Sequence, residues 1–313
     1  MGLAGCSLAW QMLFRGIDFS WSDDALPGSS SSMAAGMINP VTGKNFNPSW
    51  RLAEFLPEAE NFFGRVSDIL EQQLWFPFPV WRMIGEKEWS KIGPKLENPE
   101  TRPWVERLEE DVPGWKGAVI LKSGARVATR DFCEGTRRYL SARRNSVAGT
   151  CREILCEGSA GLIAGRLDHH RCAKGEILTL RAPSWLGDRI VIGGGGWLVP
   201  LGGGLFKAGS TYVWDQLDGE PTREGREKVE EIARVLGARV LGGDDFEVIG
   251  HDAGVRPIVR RSQPVIGELP DGRVIFNGLG SKGSLYAPGV ADRLVKWLTD
   301  GAGIDPELDV AGL

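Results

Sequence analysis

The sequence MGLAGCSLAW occupies residues 1–10 and sets two glycines directly before a run of apolar residues. The glycines are Gly2 and Gly5, with Leu3 and Ala4 between them. Glycines that precede a helix let the backbone approach a phosphate, and the helix N-terminus offers unpaired N–H groups. The spacing matches the second half of the G-x-G-x-x-G fingerprint, and so predicts a dinucleotide site at the start of a helix.

A predicted strand with an acidic end follows this helix. The helix should end at Gly16, because glycine is the usual residue just after a helix C-terminus. Ile17, Phe19 and Trp21 then alternate with polar residues, which predicts a strand, and Asp23 lies at its end. The fingerprint calls for an acid about 20 residues after the glycines, where it holds a ribose hydroxyl. Asp23 is therefore the predicted ribose ligand.

A second transition from glycines to a helix lies near the C-terminus. The segment NGLGSKGSLYAP contains Gly278, Gly280, Ser281, Lys282 and Gly283 immediately before a predicted helix. A helix N-terminus with an adjacent lysine suits an anion, or a group that becomes anionic during a reaction. Two such sites, one at each end of the chain, fit a single long cofactor better than two unrelated turns.

The composition narrows the class of protein. The chain has 313 residues, of which 42% are hydrophobic and 25% charged, with a net charge of -4. This is ordinary globular composition, and it argues against nucleic acid as a partner. No apolar run approaches the roughly 20 residues that span a bilayer. The absence of a secretory signal and of any C-x-x-C pair among five cysteines predicts a cytoplasmic protein, and no metal-ligand spacing accompanies His169 and His170.

The order of elements predicts an α/β protein with a second, mainly antiparallel sheet. Helical periodicity covers residues 50–75, RDFCEGTRRYLSARR and TREGREKVEEIARVLG, the last with Thr222 as its N-cap. Residues 174–214 are rich in strand patterns and glycine turns. The segment GAVILKSGARVAT predicts a hairpin around Ser123 and Gly124. Helices alternating with strands, and a β-rich insertion among them, favour this class.

An arginine precedes the second glycine segment. Arg256 lies on a predicted strand in the motif GVRP. A guanidinium binds a carboxylate through two parallel hydrogen bonds, but most arginines simply lie at the surface. The residue type alone therefore does not distinguish a binding role from a surface role for Arg256, and the neighbouring motifs are needed.

Taken together, these motifs resemble FAD-dependent oxidoreductases of the D-amino-acid oxidase and glycine oxidase group. The matching segments are GLAGCSLAW, SSSSMAAGMINPVTGK, CEG, KGEILTL, AGSTYVWD, GVRPIVRRSQPVIGE and FNGLGSKGSLYAP. The flavin domain of bifunctional tRNA wobble-uridine-modifying enzymes is a related branch. The resemblance implies a Rossmann-like FAD-binding domain, expected over 1–60, 126–173 and 246–313. It also implies an interleaved, mainly antiparallel β substrate domain, expected over 61–125 and 174–245.

The same resemblance implies roles for individual residues. Asp23 would hold the adenosine ribose, and Arg256 would bind the substrate carboxylate. On physical grounds, the helix start at Gly280 to Gly283 and Lys282 are candidates to stabilise negative charge on the reduced flavin. Tyr212 and His251 are candidate residues of the substrate pocket, although a place in the strand core fits Tyr212 as well. The other expected cofactor-binding residues are Gly2, Leu3, Ala4, Gly5, Ser31, Ala35, Gly36, Gly158, Gly278, Gly280, Ser281 and Gly283.

The predicted activity is oxidation of an amine or amino acid, with hydride transfer from the amine-bearing carbon to flavin N5. FAD should be non-covalent, because no cysteine lies between residues 173 and 313 to carry it. The alternatives are a flavoprotein fold without catalysis, a flavin-dependent RNA-modifying enzyme and, with least support, an NAD-dependent dehydrogenase. The family has a strand and a first glycine before the position of Met1, so we expect them to be missing here, through either a start codon assigned too late or a real truncation. Their loss would weaken FAD binding.

Overall fold

The computed structural model describes residues 1–24, 29–143, 151–259, 261 and 263–313. Its helices are α1 (Leu3–Phe14), α2 (Ser30–Met33), α3 (Leu52–Leu70), α4 (Glu86–Trp89), α5 (Ile92–Leu96), α6 (Thr129–Ser141), α7 (Gly158–Ile163), α8 (Arg223–Leu236) and α9 (Gly283–Asp300). Its strands are β1 (Met37–Ile38), β2 (Val41–Thr42), β3 (Asn47–Pro48), β4 (Trp75–Ile84), β5 (Val105–Glu110), β6 (Gly117–Val127), β7 (Ile154–Leu155), β8 (Ala173–Arg181), β9 (Ile190–Gly193), β10 (Gly196–Gly202), β11 (Leu205–Gly209), β12 (Glu247–Arg256), β13 (Val265–Glu268) and β14 (Val274–Asn277).

A large, mainly antiparallel sheet forms one half of the molecule. Its strand order is β1-β6-β4-β9-β10-β11-β8-β12, with β5 paired to β6, and β4–β9 is its parallel pair. Helix α8 packs on this sheet through Val229, Ile232 and Leu236, which meet Leu178 and Phe206 in one apolar cluster. The amphipathic pattern of α8 therefore faces the sheet, as its sequence predicted.

A small sheet, β13-β14-β7, lies in the other half beside two long helices. Strands β7 and β14 are parallel, as in α/β folds, whereas β13 and β14 are antiparallel. Helices α1 and α9 pack against each other, and Phe276 of β14 belongs to the same apolar cluster as residues of both helices. Residues 3–10 of α1 are all buried, which explains why that helix is apolar around its whole circumference.

The α/β class and the large antiparallel sheet are confirmed, and so are α1, α3, α6 and α8. The predicted domain boundaries remain a prediction. None of the described helices is long and apolar enough to cross a membrane.

Two predicted elements differ from the structure. Residues 17–24 form no strand, because no described strand lies alongside them to supply ladder hydrogen bonds. The predicted hairpin at Ser123 and Gly124 is wrong, because both residues lie inside the single strand β6. Ser123 has a φ of 65° there and marks a β-bulge, since the register against β4 shifts between Phe78 and Val80.

Candidate functional site

A cleft of about 1320 Å³ lies at the meeting of the two halves, lined by residues of both sheets and by the N-termini of α1 and α9. It brings together most of the residues that the sequence predicted. They are Gly2, Leu3, Ala4, Gly5, Asp23, Ser31, Ala35, Gly36, Gly158, Tyr212, Arg256, Gly280, Ser281, Lys282 and Gly283. Two predicted residues, Gly278 and His251, are absent from the lining.

The two helix N-termini meet in this cleft. The backbone N–H of Leu3 donates to Ser31 Oγ over 3.0 Å, which ties α1 to the serine-rich turn of α2. Gly283, at the start of α9, lies so close to Leu3 that a Cβ there would stand 2.8 Å from Leu3 Cδ1. Because the N-terminus of a helix carries partial positive charge, the convergence of α1 and α9 makes this part of the cleft favourable for anions.

Gly36 packs its segment of the cleft wall closely against the end of β6. It has a φ of 69°, which favours glycine, and a Cβ at this position would overlap the carbonyl oxygen of Val127. The N–H of Val127 in turn donates to Gly36 O over 2.9 Å. This close approach positions the Ser29–Gly36 segment along the cleft, and no larger residue fits at Gly36 in this geometry.

Asp23 lines the cleft and forms an ion pair there. Its carboxylate accepts from Nε of Arg137 over 2.8 Å. Arg137 also donates to the carbonyl oxygen of Met1 over 2.6 Å. Arg137 lies in α6, so this network joins α6 to the N-terminus of α1.

The second glycine segment forms a compact loop between β14 and α9. The N–H of Gly280 donates to Pro257 O over 2.9 Å, and the side chain of Asn277 donates to Gly158 O over 2.9 Å. Gly278 has a φ of 76° and packs against Val259, behind the cleft surface. The loop therefore presents Gly280 to Gly283 to the cleft, whereas Gly278 shapes the turn from within the protein.

Arg256 extends from the end of β12 into the cleft. Its Nη2 donates to Ser210 Oγ over 2.7 Å and to Thr211 O over 3.3 Å, and Nη1 donates to Lys174 O over 3.3 Å. The guanidinium occupies space that Gly175 leaves open, since a Cβ at that position would overlap it. Burial lowers the pKa of Arg256, and no carboxylate among the described residues pairs with it. A desolvated guanidinium held by neutral oxygens attracts an anion from outside the chain.

Lys282 supplies a second partly buried cation. Its Nζ donates to Thr42 Oγ1 over 3.2 Å, and burial lowers the pKa of the ammonium group. Both cations line the same cleft. The cleft thus combines two helix N-termini, a lysine and an arginine, an arrangement that suits negatively charged groups at more than one point.

Tyr212 and His251 have different surroundings, although the sequence put both in the substrate pocket. The ring of Tyr212 lies 4.4 Å from the guanidinium carbon of Arg256 and lines the cleft. His251 lies elsewhere, because its Nε2 is 2.8 Å from Oε2 of Glu176, a carboxylate that also accepts from Thr222 at the start of α8. The placement of His251 in the pocket is therefore corrected: this residue belongs to the cap of α8.

Several residues that build the site were missed by the sequence analysis. Thr42 and Ser210 lie within two of the quoted motifs, INPVTG and AGSTYVWD, but nothing singled out their hydroxyl groups. Gly175 lies in a third, KGEILTL. Arg137 carried no signal, because an arginine on a helix with a polar face is ordinary. Within the described part of the chain, no group of three or more His, Cys, Asp or Glu residues could hold a metal ion.

Comparison with known proteins adds a family match and several relatives. The sequence model of the FAD-dependent oxidoreductase family matches residues 1–297. The bifunctional protein MnmC of tRNA 5-methylaminomethyl-2-thiouridine biosynthesis from Idiomarina loihiensis is 22% identical over 339 residues, covering 95% of this chain and 54% of that protein. MnmC of Burkholderia mallei is 28% identical over 141 residues, covering 44% of this chain and 22% of that protein. The chain thus spans about half the length, or less, of these curated relatives.

Solved structures share the fold. Iminodiacetate oxidase from Chelativorans sp. BNC1 has a TM-score of 0.76 at 17% identity, over 97% of this chain and 95% of that one. Glycine oxidase from Geobacillus kaustophilus has a TM-score of 0.75 at 17% identity, over 97% and 93% of the two chains. At this level of identity the similarity establishes the architecture alone.

Proposed function

Because the chain belongs to the family of FAD-dependent oxidoreductases, we propose that it oxidises a small amine or amino acid that carries a carboxylate group. FAD is the cofactor of this family. When bound, the flavin supplies the acceptor for a hydride from the substrate carbon. The protein's own task is to hold the cofactor, orient the substrate and stabilise the charge that develops.

The cleft fits FAD at the points where such a molecule needs contacts. The N-terminus of α1, with Gly2 and Gly5 free of side chains, would hold the pyrophosphate. Asp23, oriented by Arg137, would hold the ribose hydroxyls. Gly36 and Gly158 also line the cleft. The fit rests on a donor set suited to a dinucleotide, with a helix N-terminus for the pyrophosphate and a carboxylate for the ribose.

One observation supports the proposed substrate class above the others. Arg256 is a largely buried cation in the cleft, held by neutral oxygens and unpaired with any carboxylate of the described residues. Such a group is costly to bury unless a ligand supplies the counter-charge. A substrate carboxylate would supply it, and would fix the adjacent carbon in one orientation for oxidation.

Lys282 and the N-terminus of α9 would act at the electron-accepting side. They place positive charge beside the loop of Gly280 and Gly283, on the surface of the cleft. Positive charge fixed before the reaction stabilises an anion that develops during it, without the need for water to reorganise. We therefore assign charge stabilisation to Lys282 and substrate orientation to Arg256.

Replacement of Arg256 by lysine tests the proposal. Lysine keeps the charge but loses the planar fork, so Arg256→Lys should remove at least one charge-assisted hydrogen bond, about 1.5–3 kcal/mol, or roughly 10- to 150-fold in kcat/KM. The measurement is anaerobic bleaching of the flavin by a panel of amino acids and simple amines. Arg181→Lys is the matched control, because Arg181 is an exposed arginine on the neighbouring strand β8.

The outcomes separate the possibilities. Equal rates for the wild type and Arg256→Lys would make Arg256 a structural residue. Equal oxidation of amines with and without a carboxylate would exclude the proposed substrate class. Absence of bleaching by every compound in the panel would favour a flavoprotein fold without catalysis.

A second candidate function is flavin-dependent modification of tRNA. The observation that favours it is the similarity to MnmC, which extends over 95% of this chain. The net charge of -4 weighs against it, since nucleic-acid binding relies on basic surfaces. Unfractionated tRNA belongs in the same bleaching panel, and reduction of the flavin by tRNA but by none of the small amines would favour this candidate.

A further inference from the structure

Two exposed aromatic rings lie beyond Arg256: Tyr212 lines the cleft, and Trp214 lies next to Tyr212 outside the lining. Tyr212 is 45% exposed and Trp214 is 49% exposed, although the tryptophans Trp10 and Trp185 are 1% and 5% exposed. Val213, between the two rings, pairs with Lys174 of β8. Because side chains of extended backbone alternate between two sides, the rings of Tyr212 and Trp214 lie on the same side. We call Tyr212 and Trp214 the aromatic shelf.

The shelf forms a continuous row of neighbouring groups, in which the two rings are tilted by 52° to each other. The guanidinium of Arg256 lies 4.4 Å from the centre of the Tyr212 ring, whose centre is 4.9 Å from that of Trp214. The guanidinium of Arg171 lies 5.5 Å from the Trp214 ring on the exterior side of the row. The row therefore begins at the proposed carboxylate contact in the cleft and ends at an exposed cation.

Packing does not explain this arrangement. A tryptophan and a tyrosine that serve the core bury most of their surface, yet each of these rings leaves nearly half of its surface to water. Neither ring belongs to any of the apolar core clusters of the described residues. Adjacent aromatic faces that stay exposed beside a binding cleft are suited to receiving a planar group of a ligand.

We propose that the aromatic shelf binds a planar aromatic group of the substrate, so that the substrate is a carboxylate-bearing amine with an aryl or heteroaryl substituent. This proposal rests on the proposed function, because the carboxylate on Arg256 is what brings the ring to Tyr212. The substituent follows the row outward, so that its face contacts Tyr212 and its far side meets Trp214. Arg171 would enrich the shelf in positive charge and so favour electron-rich rings.

The test uses two ligands that cannot be oxidised at an amine. 4-Phenylbutyrate and 4-cyclohexylbutyrate carry the same carboxylate and linker, but only the first has a planar ring. Titration calorimetry on the FAD-loaded protein measures both affinities. We expect the phenyl ligand to bind about three- to tenfold more tightly, the range that aromatic contacts contribute beyond their area.

Variants assign that preference to the shelf. Trp214→Leu keeps apolar bulk but removes the ring, and should bring the ratio of the two affinities towards one. Trp214→Phe should retain most of the preference. Leu186→Ala is the control, because Leu186 is 51% exposed and does not line the cleft, so the ratio should stay at the wild-type value.

Two outcomes would overturn the inference. Equal wild-type affinities for the two ligands would show that a planar ring does not strengthen binding. A preference for the phenyl ligand that is unchanged in Trp214→Leu would show that the aromatic shelf does not cause it. Neither outcome affects the proposed function, which the Arg256→Lys bleaching experiment decides with its panel of amino acids and simple amines. Slower flavin bleaching by Arg256→Lys and a wild-type preference for the phenyl ligand are separate results, so the failure of one proposal can be told from the failure of the other.

Discussion

Lys282 is placed where its charge is useful for binding anions and unfavourable for folding. Burial lowers its pKa, so the folded protein holds the lysine proton less tightly than the unfolded chain does. The protonated lysine therefore destabilises the fold at pH 7, and this penalty disappears as the pH rises towards the ordinary lysine pKa of about 10.4.

Lys282→Met should therefore stabilise the FAD-free protein at pH 7, by about 1 kcal/mol, because it removes a partly buried charge. The gain should shrink at pH 10, where the wild-type lysine loses its proton. Urea unfolding of both proteins at the two pH values measures this. The same variant should slow anaerobic flavin bleaching. A variant that is less stable at pH 7, or one that bleaches at the wild-type rate, would contradict the role given to Lys282.

Among individual residues, the sequence predicted those site residues whose role follows from a local motif. It missed the residues whose role depends on contacts with distant parts of the chain. Arg256, Lys282 and the two glycine segments line the cleft, and each was visible as a local pattern. The role of Arg137 could not be predicted from the sequence, because it depends on a hydrogen bond to Asp23, 114 positions away in the chain. His251 was misplaced for the same reason, since its partner Glu176 is on another strand.

Among the elements, α8 depends on a cap that extends into the sheet. Thr222 Oγ1 accepts from the N–H of Gly225 over 3.0 Å and donates to Glu176 Oε1 over 2.7 Å. Glu176 is only 2% exposed, so loss of a donor leaves a buried carboxylate less well satisfied.

Thr222→Ala should destabilise the protein by about 1–2 kcal/mol, since it removes both the helix cap and a donor to Glu176. Thr222→Ser keeps the hydroxyl and should lose much less. The free energies of unfolding in urea measure the difference. If serine and alanine were equally destabilising, the methyl group rather than the hydroxyl would be the stabilising part of Thr222.

Element prediction failed where strand partners, rather than local pattern, decide the conformation. The alternation at residues 17–21 is that of a strand, but without a described partner the segment stays outside all three described sheets. Ser123 and Gly124 have turn chemistry, yet pairing of β6 with β4, β5 and β1 keeps the strand continuous through them. Helix α8 was predicted well because its periodicity is local, and α1 because its leading glycines, apolar run and terminal glycine are local signals.

For the whole molecule, the order of elements predicted the α/β class and the resemblance predicted the family, but neither predicted the strand order. That order joins β12 to β8 and β4 to β9, pairings between segments far apart in the chain. The domain boundaries, the cytoplasmic location and non-covalent attachment of FAD stay predictions.

Cofactor binding should act on the stability of the entire protein, because the cleft is lined by α1, α9, β7, β8 and β12 at once. A ligand that binds only the folded state adds about 2.7 kcal/mol at a hundred times its Kd. We expect FAD to raise the Tm of the FAD-free protein by several degrees, in proportion to the logarithm of its concentration. NAD is the control and should produce no shift. Equal shifts with FAD and NAD would contradict a site specific for the flavin dinucleotide.

The bond between Gly280 and Pro257 has a further consequence. Pro257 follows Arg256 directly, and its carbonyl oxygen accepts from Gly280 over 2.9 Å, so the arginine and the glycine loop are joined by one residue and one hydrogen bond. If Arg256 anchors the substrate and the loop borders the flavin, this short link fixes the distance between the bound carboxylate and the flavin. The oxidised carbon of an α-amino acid should then reach the flavin. In a β-amino acid, which has one more carbon between the carboxylate and the amine, the oxidised carbon should be misplaced.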